Sequence, residues 1–214
     1  MYNYIVIEGN IGAGKTSFAS MLSEDCNARL ILEQFEENSF LPKFYEDQAR
    51  YAFPLELSFL ADRYQQLKTH FSTPDMFKTF TVADYFIFKS LIFASKNLET
   101  LEFGLYSKLF SIVSSVVPKP DMIVYLYLSL ENLKKNIEKR GRPYEQNIQF
   151  DYLEKIQQGY LEYLRQQSDL RVLVIDTNGM DFIARPSDYL WLKGLTMQEY
   201  PLGMHFIQNP GQVV

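Results

Sequence analysis

The stretch Gly9-Asn10-Ile11-Gly12-Ala13-Gly14-Lys15-Thr16 limits what this chain can fold into more than any other part of it. It follows a short apolar run, Tyr4-Ile5-Val6-Ile7, and a helix-compatible segment beginning at Ser17 comes after it. Strand, glycine-rich turn and helix in that order, with the spacing G-x-x-x-x-G-K-T, make a phosphate-binding P-loop. The glycines let the backbone fold back, so that several N–H groups point into one concavity. The helix that starts there adds the positive end of its dipole. Lys15 brings a full charge to the outer phosphates, and the Thr16 hydroxyl suits a magnesium ion. Gly9, Asn10, Ile11, Gly12, Ala13, Gly14, Lys15 and Thr16 are therefore the expected cradle for ATP or another nucleoside triphosphate with Mg2+.

A P-loop needs a sheet behind it, and the rest of the chain supplies strands. Ala28 to Leu32, Thr79 to Ala83, Met122 to Leu128 and Arg171 to Ile175 are further short apolar runs separated by helical patterns. This alternation predicts an α/β fold with a parallel sheet of five strands and helices on both faces. Ligands collect beyond the carboxyl ends of such strands. Three of the runs deliver an acid there: Glu33 after the second, Asp84 after the third and Asp176 after the last. Glu33 reads equally as a solvated strand end or a site acid. Asp84 suits magnesium held through its water shell, and it would also cap a helix beginning at Tyr85.

Phe40 to Tyr51 is a polar-aromatic helical stretch, and Pro54 is expected to open the next helix. On that helix Glu56 and Arg63 lie two turns apart and share a face. Spacing alone favours ordinary surface charges for both. A long helical region follows Asp84, from Phe86 to Ala94 and Glu99 to Val117, broken around Asn97, and its apolar residues suit a subunit interface. After the strand at Met122 comes a polar helix capped by Ser129, then the basic break Lys139-Arg140-Gly141-Arg142-Pro143-Tyr144-Glu145-Gln146. Such a break suits a mobile lid, about residues 136–148, whose arginines close over phosphates. A short helix is expected around Tyr189 to Leu192, and the tail 201–214 carries no functional signal.

Composition narrows the classes. With 21 basic and 26 acidic residues the net charge is −5, which argues against a nucleic-acid-binding face. One cysteine excludes an internal disulfide framework and suits a reducing, cytoplasmic setting. The two histidines lie far apart, so a zinc site is not expected. No apolar run is long enough to span a membrane, and the early first strand leaves no room for a signal peptide. All 214 residues are expected to form one domain.

With these pieces in place, the sequence resembles the deoxynucleoside kinases, in particular the bacterial deoxyadenosine/deoxyguanosine kinase branch. The resemblance rests on Ile7 to Thr16, on Tyr51-Ala52-Phe53-Pro54-Leu55-Glu56-Leu57 with Ala61-Asp62-Arg63, and on Pro118-Lys119-Pro120-Asp121. Arg140-Gly141-Arg142-Pro143-Tyr144-Glu145-Gln146 and Val172-Leu173-Val174-Ile175-Asp176 complete it, so that it reaches to about Phe182. It implies a P-loop kinase fold with a lid, and a homodimer built on long helices. It also implies transfer of the γ-phosphoryl group of ATP to the 5′-hydroxyl of a deoxynucleoside. Glu33 matches the acid that takes the hydroxyl proton, and Arg140 and Arg142 match lid arginines. Glu145 matches a lid acid near the sugar, Arg63 an arginine on the base-facing helix, and Tyr45 a substrate contact. Asp176, Asp181 and Phe182 match the segment around the ATP adenine.

Two departures stand out. After the third strand the family has an acid, an arginine and a serine, and here the segment is Asp84-Tyr85-Phe86, with Lys89 the nearest cation. Asn136 stands where an upstream lid arginine is expected. These losses leave open a nucleotide-binding domain with weakened catalysis, or a kinase of the same fold for another small hydroxyl substrate. At the base, Glu56 takes the place of a glutamine. An ionised glutamate only accepts hydrogen bonds, which favours guanine. Glu36, Glu37, Glu46 and Asp47 make the segment after Glu33 acidic, which favours an uncharged nucleoside acceptor.

Overall fold

Strands covered by helices on both faces read as unbroken apolar runs, and β1 (Tyr4–Gly9), β4 (Met122–Tyr127) and β5 (Arg171–Asp176) do so. The computed structural model describes residues 2–34, 38–73, 75–146 and 148–209. The remaining strands are β2 (Arg29–Ile31), β3 (Thr81–Ala83) and β6 (Gly203–Ile207). All pair in parallel, in the order β2-β3-β1-β4-β5-β6. Alternate residues of one strand enter opposite layers. Val6, Ile123, Tyr125 and Val174 pack under α3 (Gln48–Ser72), α4 (Phe88–Asn97), α5 (Thr100–Ser114) and α7 (Phe150–Arg165). Ile5, Ile7, Val124 and Leu173 pack under α1 (Lys15–Asp25), α6 (Leu130–Arg140) and α8 (Pro186–Thr196). A smaller cluster of Phe44, Ala52, Leu55 and Phe59 joins α2 (Phe40–Glu46) to α3.

Three expectations are corrected. The sheet has six strands, because Gly203–Ile207 pairs with β5 from Arg171↔Gly203 to Ile175↔Ile207. This half-exposed edge strand lies between turn-forming residues in a segment that read as tail. Pro54 does not open a helix: the break lies at Asp47, whose Oδ1 accepts from the Arg50 N–H at 3.2 Å, and α3 runs on through the proline. The hydrogen bond that Pro54 cannot make is offset by burial of Ala52, Leu55 and Phe59 around it. Nor does Asp84 cap a helix, since α4 begins at Phe88 and both carboxylate oxygens are engaged elsewhere. Among the described residues no helix is long and apolar enough to cross a membrane.

Candidate active site

The P-loop bends where glycine alone is comfortable. Gly12 and Gly14 have φ of +83° and +86°. A Cβ on Gly12 would lie 2.8 Å from the Leu133 carbonyl oxygen, and one on Gly14 2.8 Å from Phe182 Cζ. The loop is also braced from outside. Asn10 Nδ2 donates to the Leu153 carbonyl at 2.8 Å, and Asn136 Nδ2 donates to the Gly12 carbonyl at 2.9 Å. The residue that stands where an arginine was expected thus holds the cradle itself. Lys15 Nζ folds back onto the Asn10 carbonyl at 3.0 Å. Burial, with the nearby Lys89 charge, brings the Lys15 ammonium down to about 8.

Two strand ends converge on the mouth of this cradle. Asp84 Oδ2 accepts from the Thr16 hydroxyl at 2.5 Å, and its Oδ1 accepts from the Glu33 N–H at 2.7 Å. A hydroxyl and a carboxylate side by side are hard oxygen donors, the set that magnesium takes, so these residues fit that ion. Glu33 stands between two cations. Its Oε1 accepts from Arg63 Nε at 2.9 Å and Nη2 at 2.6 Å, and its Oε2 accepts from Lys89. Arg63 Nη1 donates to Ser90 Oγ at 2.6 Å, and its guanidinium lies over the Phe59 ring. Burial alone would raise the Glu33 carboxyl, yet Lys89 and Arg63 hold it at about 2. Behind the site the buried Glu8 accepts from the Phe86 N–H at 2.8 Å and the Tyr160 hydroxyl at 2.9 Å, tying the start of the Lys89 segment to β1.

One cleft, about 780 Å³ counting its open mouth, runs from Lys15 and Thr16 past Glu33 to Glu56. Its far end is apolar, with Leu55, Phe59 and Phe93 in the wall. Glu56 is 2 % exposed there. Its Oε1 accepts from Asn97 Nδ2 at 2.7 Å, and its Oε2 has no hydrogen-bond partner. Burial pushes this carboxyl up to about 7, against the pull of Arg63 and Asn97. Another side of the cleft is formed by Arg140 and Arg142, which both pair with the buried Glu145, the second at 3.5 Å. Tyr144 stacks on Tyr45 with ring centroids 6.1 Å apart.

The cleft gathers Ile11, Gly12, Lys15, Thr16, Glu33 and Tyr45 with Glu56, Arg63, Asp84, Arg140, Arg142 and Glu145. The surface reading of Glu56 and Arg63 is overturned: both are buried, at 2 % and 4 % exposure. Three proposed adenine residues lie outside the cleft wall. Asp176 Oδ1 accepts from Asn178, Asp181 Oδ1 accepts from the Ala184 N–H, and Phe182 packs on Phe18. Glu46 and Asp47 belong to the described chain, whereas Glu36 and Glu37 lie outside the described residues. Sequence reasoning named Lys89 only as a nearby cation and did not place Ser90, Asn97 or Tyr152. The signal was present: Lys89, Phe93 and Asn97 recur every fourth residue on one face of α4 and all line the cleft.

The family model for deoxynucleoside kinases matches residues 5–192. The chain belongs to the deoxynucleoside kinases. A deoxyguanosine kinase of Bacillus subtilis (strain 168) is 39 % identical over 193 residues, covering 87 % of this chain and 92 % of that protein. A deoxyadenosine kinase of Dictyostelium discoideum is 30 % identical over 181 residues, covering 84 % and 74 %. The solved deoxyadenosine kinase of M. mycoides with bound dATP superposes with a TM-score of 0.78 at 23 % identity, covering 91 % of this kinase and 99 % of that chain, and so shares its fold.

Proposed function

We propose that this kinase transfers the γ-phosphoryl group of ATP to the 5′-hydroxyl of a deoxynucleoside, with purines preferred. The observation that carries this is the single cleft that joins the P-loop Lys15 to an ion-paired acid, Glu33, and then to an apolar end closed by Glu56. A triphosphate in the cradle points its outer phosphate at Glu33, and a nucleoside with its base in the apolar end brings its sugar hydroxyl to the same place. Glu33 orients the hydroxyl and accepts its proton as the new O–P bond forms. The bond from phosphorus to the bridging oxygen of ADP breaks, and its electron pair leaves with ADP. So depressed a carboxyl is a weak base, which suffices because phosphoryl transfer depends chiefly on positioning and charge stabilisation. Lys15, the P-loop N–H groups, Arg140 and Arg142 supply that charge. Thr16 and Asp84 would hold magnesium, which neutralises phosphate charge when bound.

The lid, residues 136–148, closes on the sugar as its arginines move from Glu145 to phosphate. Similarity to a deoxyguanosine kinase supports a purine acceptor. The exposed residues Leu101, Leu105 and Ile112 form an apolar stripe along α5, with the exposed Val116 just past its end, which supports a homodimer. The test is ATP-dependent phosphorylation of the four deoxynucleosides, by wild type and Glu33→Gln. Wild type should turn over a purine deoxynucleoside, and the variant should lose roughly 10²–10⁴-fold in kcat. ATP binding without nucleoside-dependent turnover would overturn the reading.

A further inference from the structure

The unpaired oxygen at the apolar end of the cleft calls for a ligand. A buried acceptor without a partner is rare and costly, and Glu56 Oε2 is one, on a residue that lines the cleft. Asn97 engages only the other oxygen. Leu55, Phe59 and Phe93 form a wall suited to a flat ring. The group that satisfies Oε2 must therefore be a donor on the edge of that ring.

We propose that Glu56 selects the base: its charged carboxylate takes guanine through the N1–H and 2-amino donors, and its protonated carboxyl also admits adenine or cytosine. This rests on the deoxynucleoside kinase reading of the cleft. Guanine presents two adjacent donors, which match two acceptor oxygens. Adenine and cytosine each present a ring acceptor beside their amino group, and a charged carboxylate repels that acceptor. A protonated carboxyl offers one donor and one acceptor, as an amide does, and fits them.

The pH response belongs to Glu56 because its neighbours hold their charge states. Arg63, on the same helix, remains cationic, raised by Glu33 despite burial, and Lys89, on α4, lines the cleft paired to Glu33. Glu33 remains an anion, its carboxyl at about 2. Tyr45 on α2, Tyr106 on α5 and Tyr152 on α7 are kept neutral by burial. Glu56 itself, at about 7, changes charge where the assay can read it. Lys15 also titrates in the cleft but acts at the phosphates. It affects every acceptor alike and cancels from a ratio of two nucleosides.

The experiment measures kcat/KM for deoxyguanosine and deoxyadenosine with MgATP at about pH 6 and pH 8.5. The guanine-to-adenine ratio should fall at least about tenfold at the lower pH. In Glu56→Gln it should be low at both. A wild-type ratio that does not move with pH, or a variant that keeps the wild-type ratio, overturns the proposal. Calorimetric binding of each nucleoside to wild type at both pH values reads the selection without turnover and without the variant. Guanine-selective, pH-dependent binding with no phosphorylation would sink the kinase reading and leave this one standing. Phosphorylation with no pH-dependent selection would do the reverse.

Discussion

Glu33 is clamped unequally. Arg63 reaches it with two N–H groups and is itself fixed by Ser90 and Phe59, whereas Lys89 makes one contact at the end of a flexible stem. Both cations line the same cleft as Asp84, so the segment Asp84-Tyr85-Phe86 does not leave Glu33 without positive charge beside it. Replacing Lys89 by Met should lower kcat roughly 10²–10³-fold with little change in either KM, and Lys89→Arg should recover much of it; steady-state kinetics decide. Glu56 adds a stability prediction. Its carboxyl lies near 7 when folded, against an ordinary 4.5, so the folded chain binds that proton more tightly than the unfolded one. The stabilisation is complete below about pH 4.5 and is lost as pH rises through 7. Unliganded wild type should thus lose roughly 2.5 kcal/mol relative to Glu56→Gln between pH 5 and 8, read by denaturation at each pH. At this scale Glu33 and Asp84 were legible because strand ends project side chains into the crevice. Spacing alone did not reveal Glu56 and Arg63, because a pocket face and a solvated face of a helix share the same spacing; only the family resemblance pointed to them.

The P-loop is the element whose conformation depends most on residue type. At Gly12 a methyl group would meet both a left-handed backbone and the Leu133 carbonyl. Gly12→Ala should therefore cost at least about 1–2 kcal/mol and abolish ATP binding, measured by thermal unfolding with and without nucleotide. The α5 helix carries the other prediction at this level. Leu105 and Ile112 stand 53 % and 70 % exposed on one side of it. If that stripe joins two copies, Ile112→Asp should shift the sedimenting species from dimer to monomer while the isolated fold persists. The same mass for both proteins would refute the interface. The break at Gly141 and the arginines around it were legible. That these arginines rest on Glu145 was not, because a pairing inside one short loop leaves no periodic trace.

Across the whole molecule the alternation of strands and helices announced the parallel sheet, and the burial of both faces explains why the apolar runs were easy to find. The sixth strand escaped because an edge strand needs less apolar sequence than a central one. It is nevertheless part of the structure: it covers the edge of β5, and Asn209 Nδ2 donates to the Asn178 carbonyl at 2.7 Å. Deleting residues 203–214 should expose that edge, lower the melting temperature and promote aggregation, which light scattering during a thermal ramp would reveal. The position of β1 has a consequence for biosynthesis. It lies at the centre of the sheet, yet its partners β3 and β4 begin only at Thr81 and Met122. A nascent chain therefore emerges with Tyr4-Ile5-Val6-Ile7 bare, and the nucleotide cradle cannot assemble until far more of the protein has been made. During that interval the unpaired apolar strand is open to aggregation, and no nucleotide can yet be held.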